Sequence, residues 1–305
     1  MKSTLRIISI ILMICASINM NAQGEVLFEK DSYKFPYNLN EAKEEFNLEE
    51  ALVEISGLSY LNKSTLLAVQ DEKGIIYHIS LKNGKIKEKV KFDKSGDFEG
   101  IELVNDDVWA LESNGDLFRI NKKSKAKKYD TFLKSANDTE GLGYDPVNEQ
   151  LLIACKGLAF KDKKNKHLKS IYAFDLESKK LLKEPKILIH LDTIAQYLKS
   201  NSMGNAGRKL LSLLNRKNKD LHFKPSGIAV HPTTGNYYVL GAVGHLLLVI
   251  SPDNEILAVV KLKTSKFPQA EGICFSPKGT LYIANEGDNE DATLQVFKLK
   301  KGIKE

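Results

Sequence analysis

One short step recurs five times in this chain. A Ser or Glu is followed by Gly and then by an apolar run: ISGLSYL (55–61), FEGIELV (98–104), TEGLGYD (139–145), PSGIAVH (225–231) and AEGICFS (270–276). The marker glycines Gly57, Gly100, Gly141, Gly227 and Gly272 lie 43, 41, 86 and 45 residues apart. Three of the four spacings agree with one unit of about forty residues, the size of a four-stranded propeller blade. Few folds accept such a repeat, and the chain is read as all-β, a single propeller.

Each unit runs in the same order. The second reads GIELVN, DVWALES, a turn at Asn114-Gly115, DLFRINK and AKKYDTFL. Short β-rich segments punctuated by Asn, Gly, Asp and Lys turns are the all-β signature. The fifth unit offers GICFSP, TLYIANE and TLQVFKLK and then ends, one strand short. EVLFEKD or SYKFPYN, both upstream of the first unit, is expected to fill the gap, and such closure removes the exposed sheet edge. The 86-residue interval leaves two readings open. A sixth, degenerate blade would fill it, as would one normal blade with a helical insertion near 193–222. Asp192 or Thr193 as N-cap, then IAQYLK and AGRKLLSLLNRKNK with apolar residues at helical spacing, favour the insertion and therefore five blades.

The first 22 residues read as a signal peptide. Lys2 and Arg6 flank an apolar run, Ile7 to Cys15, that is too short to span a bilayer. The expected product is an exported monomer, residues 23–305, periplasmic or extracellular. An envelope-associated lipoprotein through Cys15 is the alternative, against which the bulky Ile14 counts. No later stretch is long and apolar enough for a transmembrane helix. Beyond the leader only Cys155 and Cys274 remain, each in an apolar strand pattern. They read as buried small hydrophobes rather than a disulfide framework. The formal charge of +6 is spread over scattered lysines and loops such as KDKKNKHLK (161–169). Without a basic stripe interleaved with aromatics, nucleic acid is not an expected partner.

Propeller polarity gives the repeated acid a place. Strand one of each blade lines the central channel, and strand two returns to the face from which strand one set out. The first position of each unit therefore gathers Ser56, Glu99, Glu140, Ser226 and Glu271 around one mouth. Aligning the marker glycines adds Gln70, Glu112, Lys156, Gly241 and Asn285 at the end of strand two, with Glu286 just after. Two readings stand side by side. In one, the Ser/Glu-Gly step is a blade-packing clamp, as repeat signatures usually are. In the other, crowded carboxylates repel one another until a cation relieves them, and oxygen ligands select a hard ion, Ca²⁺ before Mg²⁺. Glu99, Glu140, Glu271 and Glu286 are the expected metal ligands, with neutral oxygens from Gln70 and Asn285. Lys156 is the internal rival, an ammonium that neutralises the acids without an ion. The lysine-rich 157–169 segment and the helical insertion share this face, and a basic cap over an acidic floor suits a small anionic ligand. No GxSxG elbow, zinc-spaced histidine set or phosphate-binding glycine loop occurs.

The segments FEGIEL, TEGLGYDP, KPSGIAVHP with TTGNYYVL, and FPQAEGICFSPKGTLYIANEG resemble the SdiA-regulated family of exported bacterial propellers, from Ile55 to Leu299. That family is similar to NHL-type propellers and, more distantly, to the esterase-like phytase group. The resemblance implies one propeller in the cell envelope, associated with calcium and without a settled activity. Position by position it assigns the carboxylates to Glu99, Glu140, Glu271 and Glu286. Ser56 and Ser226 depart from the pattern and leave the ring incomplete. Two functions follow: a binding or scaffold module for a small anionic ligand or an envelope protein or glycan, or a metal-dependent hydrolase of a phosphate ester or lactone.

Overall fold

A computed structural model of the chain describes residues 24–160, 165–200, 221–287 and 290–300. The leader 1–22 and the AGRKLLSLLNRKNK half of the insertion lie outside the described residues.

Five antiparallel sheets, each begun by one copy of the Ser/Glu-Gly step, are the blades of one propeller. Blade one is Ile55–Asn62, Thr65–Gln70, Lys73–Ser80 and Ile86–Lys91; blade two is Phe98–Val104, Asp107–Glu112, Leu117–Ile120 and Ala126–Tyr129. Blade three is Thr139–Asp145, Gln150–Cys155 and Leu168–Asp175, with its outer edge split into Lys180–Leu181 and Ile187–His190. Blade four is Gly227–Val230, Tyr237–Gly241, Leu246–Ile250 and Ile256–Lys261; blade five begins Ala270–Phe275, Leu281–Asn285 and Thr293–Phe297. The long interval thus holds one blade and an insertion, not a sixth blade.

The closing strand is not one of the two expected. Glu44–Asn47 pairs with Thr293–Phe297 and completes blade five. It stands just ahead of blade one, so a single 3-10 turn at Glu50–Leu52 carries the chain into the first strand. Glu25–Glu29 instead adds a fifth strand outside blade four, and the SYKFPYN segment contributes a lone bridge from Tyr37 to Leu299.

The core repeats with the blades. Five apolar clusters each lie between two neighbouring sheets, for example Leu67 and Val69 of blade one against Phe98 and Ile101 of blade two. Another joins Leu58 and Leu66 of blade one to Ala284 and Leu294 of blade five, sealing the ring. Burial of this kind is the main stabilising term, roughly 25 cal/mol per Å² of apolar surface. The helix Leu191–Ser200 starts directly at the end of its strand, one or two residues before the expected cap. Its buried Leu191, Ile194 and Leu198 join the cluster between blades three and four, and Tyr197 stacks on Phe28 at 4.7 Å. Cys155 and Cys274 are free and buried.

The marker glycines meet around the axis. A Cβ on Gly57 would lie 2.9 Å from the Cα of Gly100, and one on Gly141 would lie 2.9 Å from the Cα of Gly227. On Gly227 it would come within 2.2 Å of the Glu271 carbonyl oxygen. Contacts this short exclude any side chain, so the five inner strands close almost completely on the channel. The throat that they line has a free volume of about 10 Å³.

Candidate functional site at the channel mouth

Directly above that throat the ladder is broken on purpose. Pairing skips from Ile55 to Gly57, from Phe98 to Gly100, from Thr139 to Gly141 and from Ala270 to Ile273. The bulged residues are Ser56, Glu99, Glu140 and Glu271, and a bulge re-aims a side chain out of the regular pleat. All four line the throat together.

Serine and glutamate do different work at this position. Ser56 donates to the Phe98 carbonyl of the next blade at 2.7 Å, and Ser226 to the Ala270 carbonyl at 2.7 Å. They are clamps between blades. The glutamates are acidic groups sunk in the mouth, Glu140 only 5 % exposed and Glu271 only 7 %. Burial first, then Glu140 and Asp97, holds the Glu99 carboxyl far above the usual range. Burial, Glu140, Glu286 and Asp138 do the same to Glu271, against the pull of Lys156. Glu140 is also raised by burial, though the Lys156 ammonium 2.8 Å away opposes this.

At the end of strand two the register sorts the expected residues. Gln70, Glu112 and Asn285 pair with Ile55, Phe98 and Ala270, and the equivalent in blade three is Cys155. Lys156 therefore stands one residue further on, level with Asp71, Ser113 and Glu286. Glu112 turns away from the throat, its carboxylate 3.7 Å from Lys128 on the outermost strand. Glu54, Asp71, Asp97 and Asp138 were missed by the sequence reading. Three of them precede the bulged residue by two positions, in EIS, DFE and DTE, and that spacing was the available signal.

The seam between blades five and one has a distinct composition. The Gly287 amide donates to the Val53 carbonyl at 2.8 Å, and the Asp71 amide to the Glu54 carbonyl at 3.3 Å. Glu54 thus lies between Asp71 and Glu286. Burial, with a hydrogen bond and repulsion from Glu54, pushes Glu286 up to about 8; burial and Glu54 push Asp71 up to about 6. Beside them, Oε1 of Gln70 and Oδ1 of Asp71 are buried without a hydrogen-bond partner. Oδ1 of Asn285 and Oε1 of Gln295 are unpartnered too, but the Asn285 amide is bonded to Thr293 and Gln295 to the Lys266 carbonyl, on the blade-four face of blade five. An unsatisfied buried acceptor costs about 1–3 kcal/mol, so the adjacent pair on Gln70 and Asp71 requires a reason. Neutral and acidic oxygens of this kind fit a hard divalent ion. Among the described residues, no three His, Cys, Asp or Glu side chains stand close enough to hold an ion by themselves. Any ion here therefore leans on the Gln70 amide oxygen as well.

Blades three and four carry the opposite charge. A cavity of about 510 Å³ is lined by Lys156, His222, Lys224 and Glu271, and a second of about 600 Å³ by Lys156, Lys166, Lys169, Lys224 and Asp138. The described part of the lysine-rich segment does border the mouth, as expected. The helix Leu191–Ser200 instead packs on the flank of these two blades. No described helix is long and apolar enough to cross a membrane.

Comparison with known proteins follows this geometry. The family described as SdiA-regulated matches residues 34–289. No curated protein matches the chain. Among solved structures, virginiamycin B lyase from Staphylococcus aureus is similar at 17 % identity and a TM-score of 0.42, over 79 % of this chain and 66 % of the lyase. A Bacteroides thetaiotaomicron protein of unknown function matches at 13 % identity and a TM-score of 0.50, over 90 % of this chain and 62 % of that one. A PQQ-bound aldose sugar dehydrogenase from Streptomyces coelicolor matches at 11 % and 0.48, over 85 % of this chain and 98 % of the dehydrogenase. This chain spans less than two thirds of the Bacteroides protein's length. At these identities the likeness is one of fold.

Proposed function

The chain belongs to the SdiA-regulated family, and we propose that it serves as an exported binding module of the cell envelope whose channel mouth holds a divalent cation, calcium foremost. The observation that carries this reading is the pair of orphaned oxygens on Gln70 and Asp71 beside the crowded carboxyls of Glu54 and Glu286. Such a cation neutralises the acids and accepts the unpaired oxygens at once. Glu286, Asp71 and Gln70 would hold it. Lys156 already answers Glu140, which leaves Glu140 a smaller part than the sequence suggested.

The test is a calcium titration of the chelator-treated chain by calorimetry and thermal melting. Binding in the micromolar range with a rise in Tm, both lost in Glu286→Gln, is the expected result. No heat and no change in Tm would sink the cation reading and leave the acids as strained packing residues. Export is tested separately, by the mass and compartment of the mature chain.

A second reading rests on one further observation. The Glu271 carboxyl, raised well above its usual range by burial, lines a cavity together with Lys156. A protonated carboxyl beside an ammonium is the equipment of a general acid. The corresponding activity is hydrolysis of a phosphate ester or lactone, in which a bound cation supplies Lewis acidity. Turnover of model phosphoesters or lactones, abolished by Glu271→Gln, is its test.

A further inference from the structure

We propose that the cleft on the blade-three and blade-four side of the mouth binds a small polyanion, a ligand presenting two or more negative oxygens. The two cavities there share Lys156, His222 and Lys224, so one group of cationic side chains faces both. Lys156 is spoken for by Glu140. Among the described residues no carboxylate forms an ion pair with Lys224. Lys169 is buried, and its Nζ donates to the Lys156 and Gly157 carbonyls at 2.6 and 2.7 Å, with no acid as partner. Burial first, and then the charge of Lys224, pulls the Lys169 ammonium down to about 8.

Two cations pressed together in a half-buried cleft raise the energy of the empty protein, because neither sits in an ion pair that offsets its lost hydration. An anion reverses that cost. Asp138 also borders the larger cavity, and its charge acts on both Lys156 and Lys169 without an ion pair to Lys169. Glu271 also lines the smaller one, where burial and its acidic neighbours disfavour its charged form. Lysines act as compact point charges with three donors each, which suits tetrahedral or clustered oxyanions better than one flat carboxylate. Volumes of about 510 and 600 Å³ admit a ligand of sugar-phosphate or tricarboxylate size. The cleft stands on residues other than Gln70, Asp71 and Glu286, and the inference is independent of the cation at the opposite seam.

The experiment is run on the chain stripped of metal over a chelating resin and kept free of soluble chelator, so the fate of the cation reading does not affect it. The purified chain is titrated with inorganic pyrophosphate, with citrate and with glucose as a neutral control, by calorimetry and thermal melting. Single-site binding of pyrophosphate, citrate or both, with a raised Tm, is expected, and glucose should give nothing. Stronger pyrophosphate assigns the cleft to phosphoryl ligands; stronger citrate assigns it to carboxylates. Lys224→Met should weaken binding at least tenfold with the melting curve otherwise unchanged, whereas Lys89→Met, on the outer strand of blade one, should not. Lys224→Gln replaces the first variant should that one not fold. No binding of either anion to the metal-free chain, or binding undiminished by the Lys224 substitutions, overturns the proposal.

Discussion

The Lys156 ammonium lies 2.8 Å from Oε1 of Glu140, and this pair marks the line along which the mouth divides into an acidic and a basic half. On one side stand Glu54, Asp71, Asp97, Glu99 and Glu286; on the other, Lys169 and Lys224. Glu140 is nearly buried while Lys156 keeps 29 % of its side chain in solvent, so removing the lysine strands a charge that water cannot reach. Breaking a buried pair costs about 3–5 kcal/mol, and partial exposure on the lysine side puts this one near the lower end. Lys156→Met should therefore lower unfolding free energy by about 3 kcal/mol in urea. Adding Glu140→Gln should recover much of the loss. A double variant whose cost is the sum of the two singles would mean that the pair is not coupled.

The acids predict how stability responds to pH when no cation is bound. Glu286 and Asp71 have folded pKa values of about 8 and 6, and burial with like charge also raises Glu99 and Glu271. Carboxyls raised in the folded state hold protons that the unfolded chain has already released. Stability is then highest at low pH and falls as pH climbs through the folded values. His78 and His245, lowered by burial, push the other way only up to about their ordinary value near 6.5, and Lys169 does so only above about 8. Between pH 6.5 and 8 the acids decide. In EDTA the Tm should fall across this window by about 2 °C or more, and saturating calcium should flatten the slope. A Tm that stays level or rises in EDTA contradicts the burial of these carboxyls.

Ser226 and Gly227 test the packing half of the motif. The Ser226 hydroxyl donates to the Ala270 carbonyl at 2.7 Å and accepts from the Ala242 amide at 3.0 Å. Ser226→Ala leaves both groups unpaired at a closed seam and should cost about 1–3 kcal/mol. Gly227→Ala places a methyl against the Glu271 carbonyl at a distance of 2.2 Å, and overpacking of that kind costs about 1–3 kcal/mol or more. Neither change should alter calcium affinity in the molecules that remain folded. A variant that melts normally but loses calcium would move this blade into the ligand set.

Which features the sequence revealed follows from what each one needs. The Ser/Glu-Gly step announced the five blades because each copy meets the same steric demand, a backbone packed against the next blade at Gly57, Gly100, Gly141, Gly227 and Gly272. The closing strand EEFN carried no such mark. It is an outer strand with two glutamates and one inward phenylalanine, and pairing, not pattern, selects it. Lys156 was placed one residue out because the ladder register, which pairs Thr139 with Cys155, is not written in the spacing of the glycines. The difference between serine and glutamate at the first position was also hidden, since only the fold shows that serine reaches a neighbouring carbonyl while glutamate does not.

Gln70 gives the sharpest separation between an empty and an occupied mouth. Its Oε1 is buried without a partner, an arrangement that destabilises the apo protein unless something accepts the oxygen. Methionine has nearly the same length and volume and no oxygen to satisfy, so it fits the site without a cavity. Gln70→Met should raise the apo Tm in EDTA, because an unpaired acceptor has been replaced by an apolar group of similar shape. The same substitution removes one oxygen ligand, so calcium should now raise Tm less than it does in the parent chain. The two effects have opposite signs and are read from one pair of melting curves. If Gln70→Met lowers Tm equally with and without calcium, Gln70 is a packing residue, and the seam between blades five and one loses its strongest claim to an ion.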